Sequence, residues 1–338
     1  MKTKKRIILI SVLLFVIGLI VSFISLCMVN FEFSKFSNLT YTQTEYTDIK
    51  DFKNIEIDSD FDININPTDD GKIKIECNES EELYNNIEVK DNTLFITSND
   101  TRKWYEKAFV LFMIKPMTID IYLPETNYND LKIHTGSGDT FVSEKFNFEN
   151  ADLKSSSGDI NFKASSKEIN IKCTSGDLYV ADSKAENINL RATSGDCEAV
   201  NVIAKNDFTA QSTSGDIELD SCDAENLSLN ATSGDIYAED CNAEDINLSA
   251  KSGECEIVNT IAENNITIKT TSGDIELDLC DAENLTLSAK SGDIRGTLLS
   301  EKIFLTNTNS GDIRVPNSIN GGRCEVSTKS GDIKFKIK

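Results

Sequence analysis

Histidine is nearly missing from this chain of 338 residues: His134 is the only one, and it falls at an outward strand position, so it reads as a surface residue. Tryptophan also occurs once, as Trp104. There are nine cysteines but no Cys-x-x-Cys pair, so the spacing of a structural zinc site is absent. Basic residues are scarce: 34 Lys and Arg stand against 56 Asp and Glu, a net charge of −22. Protein surfaces that bind nucleic acid are basic, so a nucleic-acid partner is not expected. There is no nucleotide-binding loop, metalloprotease motif or nucleophile-and-base constellation. No residue is therefore assigned as catalytic, cofactor-binding or metal-ligating, and the chain is not expected to be an enzyme.

What the chain has in excess is Ser-Gly-Asp. The glycines are Gly138, Gly158, Gly176, Gly195, Gly215 and Gly234, then Gly253, Gly273, Gly292, Gly311 and Gly331. These eleven copies are 18 to 20 residues apart, Ser always precedes, and Asp always follows except at Glu254. A fixed short period signals a repeat architecture. Apolar residues stand seven and five places before the glycines, as at Leu227 and Leu229, with Thr306 the one exception, and a small residue stands three before, as at Ala231. Two and four places after it the alternation resumes, as at Ile236 and Ala238. A period of two with one apolar face is a half-buried strand.

Each column keeps its chemistry through all eleven copies, which stacked coils explain and isolated hairpins do not. The expected fold is all-β: a parallel β-solenoid, right-handed by the crossover rule, with neighbouring strands about 4.8 Å apart. The turn glycine is expected to supply a positive φ. The flanking Ser and Asp are expected to bond the turn's own amides. The stacked acids, Asp139 through Asp332, would repel one another. Capping by turn amides is the expected remedy, and Ca²⁺ between carboxylates is the alternative.

Before the repeats, Lys2, Lys4, Lys5 and Arg6 precede an uncharged run from Ile7 to Val29. That run is long enough to span a bilayer. The flanking charges place the N-terminus in the cytoplasm and the remainder outside. A cleaved signal peptide wants a shorter apolar core and a small-residue cleavage site. A lipoprotein wants a small residue before Cys27, where Leu26 stands. A signal anchor is preferred to both. The expected organisation is a basic tail over 1–6, an anchor over 7–29, a stalk over 30–48, irregular coils and a cap over 49–130, and regular repeats over 131–338. Thr101 to Met117, with Trp104, breaks the alternation. It reads as a buried capping segment or as a loop that touches the membrane or a partner. No separate C-terminal cap is expected.

Twelve residues before successive glycines, Cys222, Cys241 and Cys280 alternate with Ile203, Ile261, Leu299 and Ile319, so they read as buried apolar residues. Cys173, Cys197, Cys255 and Cys324 also fall in inward columns. Most thiols are expected to be reduced. Cys222 and Cys241 share a column in adjacent coils, at a spacing a bridge could close.

The order of motifs resembles a family. Ile55-Glu56-Ile57, Phe61 to Pro67, Gly71 to Ile75, Ile119 to Pro124 and then Leu131 to Asp139 with its later copies are similar to the bacterial adhesin-type family DUF4097, related to DUF4098. The resemblance covers about Tyr46 to Lys338. It implies a β-solenoid in a cell-surface protein and no catalytic residues; some relatives act in envelope-stress responses. The expected function is a non-enzymatic surface scaffold, an adhesin or envelope-binding protein, with an unknown ligand. The alternatives are an envelope-stress component that binds or senses cationic peptides, and a carbohydrate-active β-helix enzyme. The last would need acids that depart from the repeat and converge on one groove, and here they follow the repeat.

Overall fold

The alternation closes into coils. The structure, a computed structural model, describes residues 15–23, 41–102 and 117–338. Each coil gives one strand to a 16-stranded sheet, turns at Ser-Gly-Asp, and gives a shorter strand to a 15-stranded sheet. In one coil these strands are Asp223–Ala231 and Ile236–Glu239. Coils stack in parallel register, Leu227 beside Ile246 and Ile236 beside Cys255. Each column is therefore a ladder of like on like. The inward columns are almost fully buried, with Ile217, Leu219, Ile246, Ile266 and Ile268 at 0% exposure. Burying each such side chain contributes about 2 kcal/mol.

At both ends the stacking departs from chain order. Asn54–Asp58 lies between Thr93–Asp100 and Asn127–Thr135. Asp62–Pro67 likewise lies between Thr118–Leu123 and Thr140–Val142. The first coil of the chain is thus the second in space. The C-terminus mirrors this: Gly322–Thr328 inserts between Asn284–Ser291 and Lys302–Thr308. The last coil is sandwiched and the one before it lies outermost. Its inward residues are the exceptions to burial, and Ile313 is 43% exposed.

Antiparallel strands close the N-terminal end. Leu83–Lys90 pairs with Thr93–Asp100, and Lys74–Glu79 with Thr118–Leu123. Thr42–Tyr46, expected in a stalk, is a further strand on Lys74–Glu79. The expected anchor over 7–29 lies largely outside the described residues, as does the segment holding Trp104. A helix covers 15–23, and no helix among the described residues is long and apolar enough to cross a membrane.

Two sequence expectations about the corners are corrected. Most Ser-Gly-Asp glycines have no positive φ: the glycines that do are Gly71, Gly292, Gly311, Gly321 and Gly331. What requires glycine is the neighbouring coil. A Cβ on Gly234 would sit 2.1 Å from the carbonyl oxygen of Gly215, and one on Gly215 2.2 Å from that of Gly195. Positive φ belongs to the opposite corner, at Asp182, Asn201, Ser221, Asp240, Asn259 and Leu279. Each stands six places after its glycine.

The residue that follows each of these is buried: Ser183, Val202, Cys222, Cys241, Thr260 and Cys280. Counting back from the next glycine slips by one where a coil has 20 residues. The backward count had put Ile203, Ile261 and Ile319 in this column, but they are 41–85% exposed; Leu299, where the coil has 19 residues and nothing slips, is itself 37% exposed. The corner cysteines thus alternate with Ser, Val and Thr. Ser, Thr and Cys act alike, too. Ser183 Oγ donates to Ala181 O (2.9 Å), Thr260 Oγ1 to Val258 O (2.9 Å) and Cys280 Sγ to Asp278 O (3.3 Å). All eight described cysteines are buried free thiols, Cys222 and Cys241 included.

Candidate functional site

The Ser-Gly-Asp corner forms a ladder of hydrogen bonds between coils. The amide of Asp159 donates to Asp139 Oδ1 (2.9 Å), that of Asp177 to Asp159 (2.8 Å), and that of Asp235 to Asp216 (2.7 Å). Each carboxylate therefore accepts from the next coil and not from its own turn, as the sequence reading had it. Charge-assisted bonds of this kind offset the repulsion between stacked acids. The ladder has a rung the repeat does not announce: Asp139 N–H donates to Asp62 Oδ1 (3.0 Å). Asp62 follows Phe61 and not glycine, so the tripeptide could not reveal it; its place opposite Asp139 could be found only from coil order.

The hydroxyl or thiol three places before a glycine helps where it occurs. Gly215 N–H donates to Ser212 Oγ (2.9 Å), and Ser212 Oγ donates to Gly195 O (3.1 Å).

The shorter-strand sheet carries acids well beyond this ladder. Across the five coils of Gly195, Gly215, Gly234, Gly253 and Gly273, outward positions lie one, three and five places after the glycine. Twelve of these fifteen positions are Asp or Glu, and none is basic. One coil reads Asp216, Glu218, Asp220 and another Asp274, Glu276, Asp278. Rows about 4.8 Å apart and side chains about 7 Å apart along each strand make a flat carboxylate lattice.

The lattice perturbs its own members. Burial, then Glu218, raises the carboxyl of Glu198 above the ordinary glutamate range. Burial, then Asp274, does the same to Glu254. Tyr237 is pushed up to about 12, first by its hydrogen bond to Glu239 (2.8 Å). Arg295 ends the lattice on one side, 3.0 Å from Glu276 and 3.8 Å from Glu254. Among the described residues no group of His, Cys, Asp and Glu is arranged to hold a metal ion.

The remaining features stand apart from this face. His134 Nδ1 lies 3.2 Å from Asp58 Oδ1, and the ring is solvent-exposed. A shallow open groove of about 520 Å³ runs along the far corner of the longer-strand sheet, over Asn127, Asn147, Ser165 and Lys184. Its floor is Tyr128 and Phe148, each 4% exposed. Its two glutamates are Glu149, ion-paired to Lys167, and Glu186.

Sequence comparison is consistent with this architecture. The Toastrack DUF4097 family model matches residues 52–239, 163–302 and 223–338, which together run from the first coil to the last residue. The chain belongs to the Toastrack family. The match bears on DUF4097 and not on DUF4098. Solved structures similar to this Toastrack chain include a "putative adhesin" from Bacteroides fragilis, 16% identical, with 89% of this chain and 98% of that one covered at a TM-score of 0.36. Another is a "putative adhesin" from Parabacteroides merdae, 16% identical, with the same coverage and a TM-score of 0.41. A third is a "putative lipid binding protein" from Parabacteroides distasonis, 18% identical, covering 88% and 98% at 0.36. No curated protein matches. The acidic lattice of this Toastrack solenoid was legible as three outward columns, although the Ser-Gly-Asp copies announce only the first of them.

Proposed function

We propose that this chain is a non-enzymatic scaffold of the cell surface that binds a cationic envelope or host component on its acidic sheet. Residues 7–29 would hold it in the membrane as a single-pass anchor, with the N-terminus in the cytoplasm and the solenoid outside. The observation that carries the binding reading is the carboxylate lattice, twelve acids in fifteen outward positions without a cation. Such a surface attracts positive ligands and speeds their arrival. Cationic peptides, the ligands of the envelope-stress reading, have the matching charge, and so does a basic patch on a larger partner. An enzyme is disfavoured because the acids follow the repeat and do not converge on the groove.

The test is a pull-down from intact envelopes with the full-length chain at low and high salt. A cationic partner that high salt releases is the expected result, because exposed charges are screened within about 10 Å at 0.1 M salt. Replacing Glu218, Glu256 and Glu276 together by Gln should weaken capture about tenfold. Binding should also fade as pH drops, starting above the ordinary carboxylate range, because Glu198 and Glu254 take up protons early. A partner held equally by the triple variant and in high salt would overturn the reading. Carbonate extraction of membranes tests the anchor: release of the chain into the soluble fraction would rule it out.

A further inference from the structure

The opposite sheet has another chemistry. Residues 177–293 hold 25 acidic and 6 basic side chains. On the longer strands of the same five coils, the outward columns six, four and two places before the glycine hold no carboxylate; the acids of these strands, such as Asp207, Glu225, Glu244 and Glu263, stand nearer the opposite corner. One column reads Asn189, Thr209, Ser228, Asn247 and Thr267, paired in register from strand to strand. The next reads Arg191, Gln211, Asn230, Ser249 and Lys269. The column at the shoulder of the turn is threonine except for Lys251. Twelve of these fifteen positions are uncharged and polar, and three are basic. The half of the longer-strand sheet next to the Ser-Gly-Asp turn is thus free of acids, while the shorter strands beyond the turn are rich in them.

Five of these groups are left open, while in the same columns Arg191 Nε donates to Asn189 Oδ1 (3.2 Å) and Asn230 Nδ2 to Ser228 Oγ (3.3 Å). Thr209, Gln211, Asn247, Ser249 and Thr267 make no side-chain hydrogen bond among the described residues, although all are exposed or half-exposed. The adjoining column, eight places before each glycine, alternates Asn with Asp and bonds within itself. Asn226 Nδ2 donates to Asp207 Oδ1 (2.9 Å), and Asn265 Nδ2 donates to Asp245 Oδ1 (2.7 Å). Hydroxyls and amides both donate and accept. A flat array of them, in rows about 4.8 Å apart, offers the same contacts again at every coil.

The chemistry narrows the occupant. No apolar side chain stands in the three columns to dock an apolar surface. A cationic ligand would find no carboxylate in these three columns and twelve in the corresponding columns of the other sheet. A polyanion would meet three cations on a chain of net charge −22. What remains is an uncharged polymer rich in hydroxyl groups.

We propose that this face binds a neutral polysaccharide, laid along the stack so that successive sugars meet successive coils. The face has no aromatic ring to stack on a sugar, so each contact is weak and the length of the polymer supplies the avidity. Long chains bind and single sugars do not.

The experiment is co-sedimentation of the detergent-solubilised full-length chain with cellulose and with chitin particles, beside heparin-agarose as the anionic arm. Retention on at least one neutral polymer, kept in high salt, is expected. Thr209→Glu with Thr267→Glu should lower it about tenfold or more. Thr209→Val with Thr267→Val suits the strand and removes two hydroxyls; it should lower retention less at an unchanged melting temperature. Glu218→Gln with Glu276→Gln, on the other sheet, should leave it unchanged. No retention on either neutral polymer would overturn the proposal. So would retention that salt abolishes, retention unaffected by both threonine pairs, or capture on heparin-agarose alone.

Discussion

Every regular coil turns twice, and its two corners solve the same problem differently. At Ser-Gly-Asp the chain comes so close to the coil below that no Cβ fits, while most of the glycines keep an ordinary φ. At the opposite corner the chain adopts the left-handed conformation and uses Asp, Asn, Ser or Leu to do it. A left-handed residue with a side chain costs about 1–2 kcal/mol. The second corner bears that cost, and its buried Ser, Thr or Cys ties the turn to a carbonyl two residues back. The invariant glycine therefore marks a contact between coils, and the tolerant corner marks a local turn.

The sharpest way to break this contrast is Gly234→Ala. Its Cβ would meet the Gly215 carbonyl at 2.1 Å, so the stack must shift locally. A loss of about 3 kcal/mol or more is expected in chemical unfolding. A loss of only about 1 kcal/mol, the cost of a left-handed residue that carries a Cβ, would restore φ as the explanation.

A pair of cysteine variants tests the other corner. Cys280 acts there as a turn donor, so Cys280→Ser should cost under about 1 kcal/mol. Cys324 lies in a strand column among apolar residues, at 0% exposure, with its thiol pushed up to about 12 by burial. Cys324→Ser would bury a hydroxyl without a partner and should cost about 2 kcal/mol. Equal melting temperatures for the two would undo the distinction.

Ser221→Gly should have the opposite sign. Ser221 is exposed with φ 56°, and glycine relieves the left-handed strain, so a gain of about 0.5 kcal/mol is expected. A loss would mean that the side chain and not the backbone conformation matters there.

The smallest effect belongs to the acid ladder. Asp235 Oδ1 accepts the amide of Glu254 (2.8 Å), and an Asn oxygen can do the same while removing a charge between Asp216 and Glu254. Asp235→Asn should stay within about 0.5 kcal/mol of the original. Chelator should leave the melting temperature of both forms unchanged. A chelator-induced drop of many degrees in the original, reduced in the variant, would instead make the ladder a cation site.

The strand columns were legible because alternation is local: Leu227, Leu229, Ile236 and Ala238 declare an inward face wherever the coil ends up. The acidic character of the shorter strands was legible for the same reason, in Glu218 and Glu276 as much as in Asp216. The corner column of Cys222, Cys241, Thr260 and Cys280 was misread because coils differ by one residue, and counting from the wrong end moved Ile261 into the core. From Gly176 to Gly273, counting seven places forward from each glycine returns the buried residue.

The sequence by itself determined the period, the two half-buried strands of each coil and the chemistry of each outward column. All of these follow from side-chain alternation and repetition along the chain. Only the tertiary structure decided which coil lies beside which: the first and last coils each sit one place in from the end, and Asp62 becomes a rung of the ladder. It also decided what the glycines are for and where each ladder carboxylate finds its amide. The reason is that these depend on contacts between strands about 20 to 77 residues apart in sequence, from Asp216 with Asp235 to Asp62 with Asp139, and no local pattern encodes the partner across such a gap.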